Sequence, residues 1–437
     1  GVPADRILHI GDDRVSDFEM PKKAGLDAWF YLRCKKADAA FSARFNNGLQ
    51  PVKHDTPAMA VYNGLRVKKL FTGRPLDESS MKADFWYRLG YGKLGFVFLG
   101  FACWLEEQLR RESFDRVYFL SRDGFFIRQV YDIVSAVGKD ALPSSSYLYV
   151  SRRSLAFALQ NEDNTERLDL FCGGSEVLPV SAYLRRLGLD AADYSGQIRK
   201  AGFSGADQLV TPGRDDERLK KLISSFSGES ADIAAEQKKL LLRYLEQEGL
   251  MACRKAAVVD IGWQGSMQKS LEKALAESGS KTRIKGFYLG TFADARRLGH
   301  DGSSMMGWLC DFSYPQHIRK TLLRCIPLLE FLHSAPHGSV LKYKDVSGVV
   351  EPVLAGNVIN SQLEQAAEIQ RGALDFVRDW LEATSGIEWM KPTRDEAFSI
   401  LSQILDKPDR LELKFLGDLK HVDSFDGTAD ARYLAKP

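Results

Sequence analysis

Asp260 ends an apolar run, and a loop of small residues and then a helical pattern follow it. This order predicts a strand, a ligand loop and a helix. The loop consists of Gly262, Trp263, Gln264, Gly265 and Ser266. Its glycines let the backbone approach a ligand closely, its amides can point at a phosphate at the start of the helix, and its serine fits an N-cap. Asp260 can accept hydrogen bonds from sugar hydroxyls. The alternative is an ordinary tight turn with a capping serine.

Two further strand ends carry polar residues of the same kind. Arg122, Asp123 and Gly124 follow the run "VYFL", and Arg152 and Arg153 follow "YLYV". The planar guanidinium of Arg122 suits a phosphate or diphosphate. Asp123 can hold Mg²⁺ or act as a base, and Gly124 permits an unusual backbone angle. The alternatives are a helix N-cap for Asp123 and surface solvation for Arg152 and Arg153.

The segment "LLEFLHSAPHGSV" contributes Glu330, His333 and His337 within eight residues. Two histidines and one glutamate could bind a metal, but the same spacing could be one face of a helix. We favour a contact of His337 with a diphosphate or an acceptor. Glu330 is the second candidate for a general base, after Asp123.

The elements that must position these residues alternate between strand and helix. Strands are predicted at "DRVYFL", at Ser146–Val150, at "AAVVD" and at "RIKGFYLGTF". Such alternation predicts a parallel sheet with helices on both faces. Right-handed crossovers then bring the three loops to the carboxyl edge of that sheet. The predicted fold class is therefore α/β, a Rossmann-like parallel sheet with a large helical insertion and a helical C-terminal region.

Length and composition limit the possible partners and cellular location of the protein. The chain has 437 residues, 44% of them hydrophobic, and a net charge of +2, so nucleic acid is not expected as a partner. Its six cysteines are scattered, which indicates reduced thiols in the cytoplasm rather than disulfides or a zinc site. The most apolar segment, Leu89–Leu105, is short for a membrane span. We predict a buried helix there, with contact to the inner face of a membrane as the alternative.

The amino-terminal segment has the pattern G-D-x4-D, at Gly11, Asp12 and Asp17, followed by "AGL". It resembles the end of a haloacid-dehalogenase-type phosphatase domain, in which these acids hold Mg²⁺. The nucleophile motif of that family lies outside this sequence, so we expect no phosphatase activity from this chain. The chain begins with Gly1, and we expect it to be a piece of a longer protein with a phosphatase domain. The alternative is a solvated acidic loop.

The three strand ends together resemble a phosphoribosyltransferase site. Asp260 matches one acid of that motif, 262–266 match the phosphate loop, and 122–124 match the diphosphate loop in position. Ile261 replaces the usual second acid, and Trp263 is atypical. From Gly90 to about Tyr343, the segments "VYFLSRDGFF", "YLYVSRRSL" and "VVDIGWQGSMQ" resemble glycan-directed phosphoribosyltransferases of bacterial polysaccharide loci.

That resemblance implies a transfer of 5-phosphoribosyl from phosphoribosyl diphosphate to a hydroxyl of a lipid-linked glycan or oligosaccharide acceptor, with Mg²⁺ as cofactor. The catalytic residues would be Asp123, Asp260 and Glu330. The product would belong to a surface polysaccharide such as an O-antigen or capsule. The alternatives are a nucleotide-sugar-dependent glycosyltransferase and a non-catalytic scaffold of a polysaccharide assembly complex.

The predicted organisation has four parts and one insertion. These are the phosphatase remnant (1–36), a linker (37–83), the phosphoribosyltransferase-like α/β domain (84–345) with its helical hood (161–250), and a helical C-terminal region (346–437).

Overall fold

The computed structural model describes residues 2–30, 56–72, 84–138, 142–158, 177–311, 316–356, 360–387, 390–421 and 432–433. The strands are β1 (Leu8–Gly11), β2 (Asp27–Phe30), β3 (Arg116–Leu120), β4 (Ser145–Leu148), β5 (Leu178–Pro179), β6 (Leu209–Val210), β7 (Lys255–Asp260), β8 (Arg283–Gly290), β9 (Met305–Cys310), β10 (Val340–Val346), β11 (Val349–Leu354), β12 (Lys420–His421) and β13 (Arg432–Tyr433).

The helices are α1 (Met20–Lys23), α2 (Pro57–Thr72), α3 (Phe85–Leu89), α4 (Gly95–Arg111), α5 (Gly124–Val137), α6 (Arg152–Ala158), α7 (Val180–Arg186), α8 (Ser195–Lys200), α9 (Asp216–Ser224), α10 (Ser227–Gln247), α11 (Ser266–Glu277), α12 (Gln316–Arg324), α13 (Ile326–Leu332), α14 (Asn360–Ala383), α15 (Arg394–Leu405) and α16 (Arg410–Gly417). A π-helical turn, Gly90–Leu94, joins α3 to α4.

The central sheet has five parallel strands in the order β4-β3-β7-β8-β9. This confirms the predicted α/β fold class with a Rossmann-like sheet. The strands of such a sheet are buried on both faces, so they read as continuous apolar runs, and every residue of β7 after Lys255 is buried. The edge strand β9 was not predicted from the sequence.

The alternation of side chains along the strands divides the core in two. Val117, Phe119, Ala257 and Val259 face a cluster that includes side chains of α4, α5 and α14. Their neighbours in sequence face a second cluster, which includes side chains of α6, α10 and α11. The predicted buried helix at 89–105 is confirmed, because most residues of α4 lie in the first cluster. No helix within the described ranges is long and apolar enough to cross a membrane.

The structure divides the predicted hood. The segment from Leu178 to Phe226 forms a core of its own, to which Phe157 of α6 also contributes. In contrast, α10 places Leu241 and Tyr244 in the core beside the sheet. The helix therefore belongs to the main domain, because its apolar face is needed to cover the sheet. Residues 159–176 of the predicted hood lie outside the described residues.

Two other predicted boundaries differ from the structure. Part of the predicted linker is the helix α2, which buries Met59 and Tyr62 and whose Tyr62 hydroxyl donates to the Gly92 carbonyl at 2.5 Å. The boundary predicted at residue 345 cuts the antiparallel hairpin β10–β11. Ser347 and Gly348 form its turn with positive φ angles of 55° and 92°, as a tight hairpin turn requires. Most of the described residues after this hairpin are helical, as predicted, and the two short strands β12 and β13 follow the last helix.

Candidate active site

A cavity of about 250 Å³ opens at the carboxyl edge of the parallel sheet. Its wall comes from the loop after β3, the start of α6, the loop after β7, the first turn of α11, and α12 and α13. The lining residues are Asp123, Arg152, Asp260, Gly262, Trp263, Gln264, Gly265, Ser266, Met267, Gln268, Tyr288, Phe292, Leu323, Ile326 and Glu330. This is the position at which open α/β sheets commonly bind ligands.

The register of the strands explains why distant residues meet there. Val259 of β7 pairs with Phe119 of β3, and Phe119 pairs with Tyr147 of β4. The three strands therefore end at nearly the same level. The structure brings together Asp123, Arg152, Asp260 and the 262–266 loop, as the sequence predicts. Glu330 of α13, the predicted second candidate for a general base, lines the same cavity.

The loop after β7 is shaped by glycine. Gly262 has a φ of 135°, and a Cβ at this position would lie 2.1 Å from the carbonyl oxygen of Gly290. Gly265 has a φ of 78° and is the N-cap of α11. The predicted N-cap, Ser266, is instead the first residue of the helix and is exposed. The N-cap residue of α11 has a left-handed conformation, which glycine adopts at little cost and serine does not. The N-cap is therefore Gly265, one position before the predicted Ser266.

Trp263 lies flat against Phe292 within this loop. The ring centroids are 5.1 Å apart and the planes are inclined by 11°. The side chain is only 8% exposed, and its indole Nε1 has no hydrogen-bond partner. Trp263 therefore stabilises the loop by stacking and also lines the cavity.

Asp123 and Asp260 are chemically unusual neighbours: Asp260 is buried, and Asp123 is partly exposed but has a buried Oδ1 atom. Burial, followed by the nearby charge of Glu330, raises the pKa of Asp123 to about 7, although Arg122 and Arg152 oppose the shift. Burial and the charge of Asp123 raise the pKa of Asp260 well above its usual value. Carboxyl groups this close do not both ionise readily at neutral pH.

The hydrogen bonds of these two acids leave room for a ligand. Asp260 is 1% exposed, and its Oδ1 accepts from the amide of Ile261 at 2.9 Å. Asp123 occupies the N-cap position of α5, as the alternative predicts, but its side chain makes no capping hydrogen bond. Its Oδ1 atom is buried and has no partner. A buried acceptor without a partner is costly unless a ligand or water supplies the donor.

Four predicted ligand residues do not line the cavity. Arg122 donates from Nη1 to Ser339 Oγ at 3.0 Å, and Arg153 donates from Nη2 to the Arg185 carbonyl at 2.8 Å. Gly124 has no unusual backbone angle. Glycine is required at position 124 because a Cβ there would lie 2.9 Å from the backbone of Phe119. The residue with a positive φ, of 20°, is instead Arg122. His337, the fourth, lies beside Tyr147.

The histidines after α13 do not form a metal site. His333 is buried beside Phe98, and its Nδ1–H donates to the Leu329 carbonyl at 2.7 Å. Burial lowers the pKa of His333 to about 4, so it is neutral at physiological pH. Within the described part of the chain, no group of three or more His, Cys, Asp or Glu side chains is arranged to hold a metal ion.

A magnesium ion nevertheless fits the acids of the cavity. Mg²⁺ in phosphate-handling sites is commonly held by one or two carboxylates together with oxygens of the substrate. Asp123 has a buried Oδ1 without a partner, and Asp260 lines the same cavity. Their oxygens are the donor type that the ion prefers.

The amino-terminal acidic loop is a separate and exposed structure. Asp13 caps the following turn by accepting from the amides of Val15 and Ser16, both at 2.9 Å. Asp17 accepts from the Asp13 amide at 2.9 Å. The predicted magnesium ligands Asp12 and Asp17 are thus part of a solvated turn, which is the alternative that the sequence left open.

Several cavity residues were not predicted from the sequence. Tyr288 of β8 donates from its hydroxyl to Gln268 Oε1 at 2.9 Å, and Gln268 donates from Nε2 to the Ser304 carbonyl at 3.0 Å. Both residues are buried and form the rear wall of the cavity. The only signal was the position of Gln268 on the inward face of a predicted helix.

No model of a known protein family matches the chain, and no curated protein sequence matches it either. The family resemblance on which the sequence predictions rest therefore stays a hypothesis. Function has to be inferred from the residues that line the cavity and from the fold that positions them.

Proposed function

We propose that this chain transfers a 5-phosphoribosyl group from phosphoribosyl diphosphate to a hydroxyl of a glycan. The observation that carries the proposal is the meeting of Asp123, Arg152, Asp260 and the 262–266 loop in one cavity. The cavity lies at the end of a parallel sheet, where ligands of this fold class bind. The reaction would take place in the cytoplasm, at the inner face of the membrane where the acceptor is lipid-linked.

The loop after β7 suits the 5-phosphate of the donor. The exposed Ser266 offers a hydroxyl, and α11 begins at that residue, so its first amides lack partners within the helix. A helix of twelve residues also presents the positive end of its dipole there. Asp260, behind the loop, is suited to accept hydrogen bonds from the ribose hydroxyls. Arg152, which is exposed at the cavity, supplies positive charge for the diphosphate.

Asp123 is our candidate for the general base. Its pKa of about 7 lies close to the working pH, at which proton transfer is most effective. The acceptor oxygen forms a bond to the anomeric carbon of ribose as the bond from that carbon to diphosphate breaks. Diphosphate leaves with the bonding electrons, and the hydroxyl proton passes to Asp123. Attack opposite the leaving group converts an α donor into a β product.

Mg²⁺, when bound, would neutralise charge on the diphosphate. Asp260 is the residue of this chain that would hold it together with substrate oxygens, so that Asp123 remains available to take the proton. Glu330 lines the same cavity and keeps its wall acidic. Its negative charge raises the pKa of Asp123 and so supports the role of that residue as a base.

Calorimetric titration with phosphoribosyl diphosphate and Mg²⁺ tests the proposal. We expect binding of this donor and no binding of UDP-glucose. Asp260→Asn should weaken donor binding, because an amide accepts fewer hydrogen bonds than a carboxylate. Asp115→Asn is the matched control, since Asp115 precedes β3 at the opposite edge of the sheet and is exposed. Binding of UDP-glucose alone would support a nucleotide-sugar transferase, and binding of neither would support the scaffold alternative.

A further inference from the structure

Four aromatic side chains form a continuous group beside the cavity: Phe125, Tyr147, Tyr149 and His337, here called the aromatic cluster. Ring centroids are 4.9 Å apart for Tyr147 and Tyr149, 5.3 Å for Tyr149 and His337, and 5.7 Å for Phe125 and Tyr147. All four side chains are partly exposed. They come from α5, from β4 and the residue just after it, and from the loop before β10.

Hydrogen bonds hold the aromatic cluster in one arrangement. His337 Nδ1 is 2.9 Å from the Gly338 carbonyl, which can only accept, so Nδ1 carries the proton. His337 Nε2 then accepts from the Tyr147 hydroxyl at 2.9 Å. The Tyr149 amide donates to the Tyr244 hydroxyl at 2.9 Å, and its carbonyl accepts from the Tyr343 hydroxyl at 2.7 Å. A surface fixed in this way loses little conformational entropy when it binds a ligand.

The aromatic cluster lies close to the acids of the cavity. Phe125 is two residues beyond Asp123, and Tyr147 is paired with Phe119 at the end of β3. Burial raises the pKa of Tyr147 most, and the charges of Asp123 and Asp260 add to the shift. The phenol of Tyr147 is therefore near enough to both acids to be affected by their charges.

The geometry favours a sugar ring over a flat or a cationic ligand. In the five ring contacts of the cluster, the planes meet at angles between 44° and 87°, so none of these contacting pairs is parallel, as the sandwich of a nucleobase would require. The positive charge of Arg122 acts on both Tyr147 and His337 and disfavours a cation on the ring faces. Electron-rich ring faces instead suit the weakly positive C–H groups of a pyranose.

We infer that the aromatic cluster is the acceptor subsite, which binds a pyranose ring of the glycan against its ring faces and directs one hydroxyl toward Asp123. This inference rests on the proposed function for the reaction, but it concerns a separate surface. It assigns the recognition of the acceptor to rigid aromatic residues at the sheet edge.

Saturation-transfer-difference NMR with the full chain and methyl β-D-glucopyranoside, repeated with methyl α-D-galactopyranoside, tests the inference. We expect saturation of the ring protons on one face of the sugar. Phe125→Leu and Tyr149→Leu should each weaken binding about three- to tenfold, the usual contribution of one aromatic contact. Trp29→Leu is the control, because Trp29 is an aromatic residue 64% exposed in the amino-terminal unit.

The outcomes separate this inference from the proposed function. Absence of saturation for both glycosides, or unchanged binding in both leucine variants, would overturn the acceptor subsite. Uridine competing with the glycoside would overturn it as well and assign the surface to a nucleobase. Calorimetry with phosphoribosyl diphosphate is independent of this surface. Glycoside binding without donor binding would contradict the proposed function and keep the sugar subsite.

Discussion

Two loops of this protein carry an aspartate after a β-strand, and their acids behave in opposite ways. In the amino-terminal loop, hydrogen bonds from backbone amides lower the pKa of Asp13 and Asp17, and both side chains lie at the surface. In the loop after β7, burial raises the pKa of Asp260. In sequence, the two stretches look alike: an apolar run, a glycine and an acid close to its end, and then a helical pattern.

The difference lies in what surrounds each strand. Within the part of the chain that the structure describes, β1 pairs only with β2, and apolar residues such as Leu8, Ile10 and Trp29 stay exposed. β7 has a neighbour on each side and helices over both faces of its sheet. A strand-end carboxylate thus acquires unusual chemistry only where other elements remove it from water.

Replacing Asp123 should produce the largest effect. In Asp123→Asn, the transfer rate should fall about 10²- to 10⁴-fold, the usual contribution of a general base. In the wild type, the rate should rise as the pH passes about 7, where Asp123 loses its proton. Steady-state kinetics with phosphoribosyl diphosphate and the acceptor measure both. Asp13→Asn, in the amino-terminal loop, should leave the rate unchanged; an equal loss in both variants would contradict the distinction between the two loops.

A methyl group at Gly262 should destabilise the loop after β7. The Cβ of Gly262→Ala would lie 2.1 Å from the Gly290 carbonyl oxygen, and the φ of 135° is unfavourable for alanine. We expect a loss of about 3 kcal/mol or more in the free energy of unfolding. Gly279→Ala is the matched control, because Gly279 has a φ of 77° but no atom within 4 Å of its Cβ position. It should lose only about 1 kcal/mol, as measured by denaturant unfolding, and equal losses would exclude the close contact as the cause.

The pH dependence of stability should have opposite signs for Asp123, in the loop after β3, and for Asp13, in the amino-terminal loop. Between its ordinary pKa of 3.8 and about 7, folded Asp123 keeps a proton that the unfolded chain releases, so it lowers stability as the pH rises. Asp123→Asn should therefore stabilise the protein by about 1 kcal/mol or more at pH 8, and by less at pH 5. Denaturant unfolding at the two values measures the difference.

Asp13 supplies the contrast. Because its folded pKa is lowered, it stabilises the folded state above pH 3.8, and this contribution is lost as the pH falls through the folded pKa. Asp13→Asn should therefore be less stable than the wild type at neutral pH and equal to it in strong acid. A change of the same sign in both aspartate variants would show that burial does not distinguish the loops.

The main features of the sheet could be predicted because they depend on local patterns. The apolar runs of β3, β7 and β8 and the acids after β3 and β7 are visible in the sequence, and right-handed crossovers then place the loops at one edge. That reasoning identified Asp123, Arg152 and Asp260, which the structure brings together. It failed for Arg153 and Gly124, because the contacts of these residues depend on distant or tightly packed backbone.

The remaining features depend on contacts between distant segments. The aromatic cluster combines residues about 190 positions apart, such as Tyr147 and His337, and no local pattern links them. The rear wall of the cavity pairs Tyr288 with Gln268 in the same way. The helix α2 also depends on tertiary packing. Its apolar pattern is weak in the sequence, but its Tyr62 packs against Phe96 and Phe376.

Because β7 lies at the centre of the sheet, the site should unfold on a slow time scale. Its backbone is hydrogen-bonded to β3 on one side and to β8 on the other. Amide hydrogens in such a strand exchange with solvent only when the whole domain opens, whereas edge strands and peripheral helices exchange through smaller openings. Asp260 is therefore the last residue of the strand whose amide hydrogens should exchange most slowly with deuterated solvent. Local openings of the edge strand β4, from which α6 and Arg152 follow, would leave Asp260 in place.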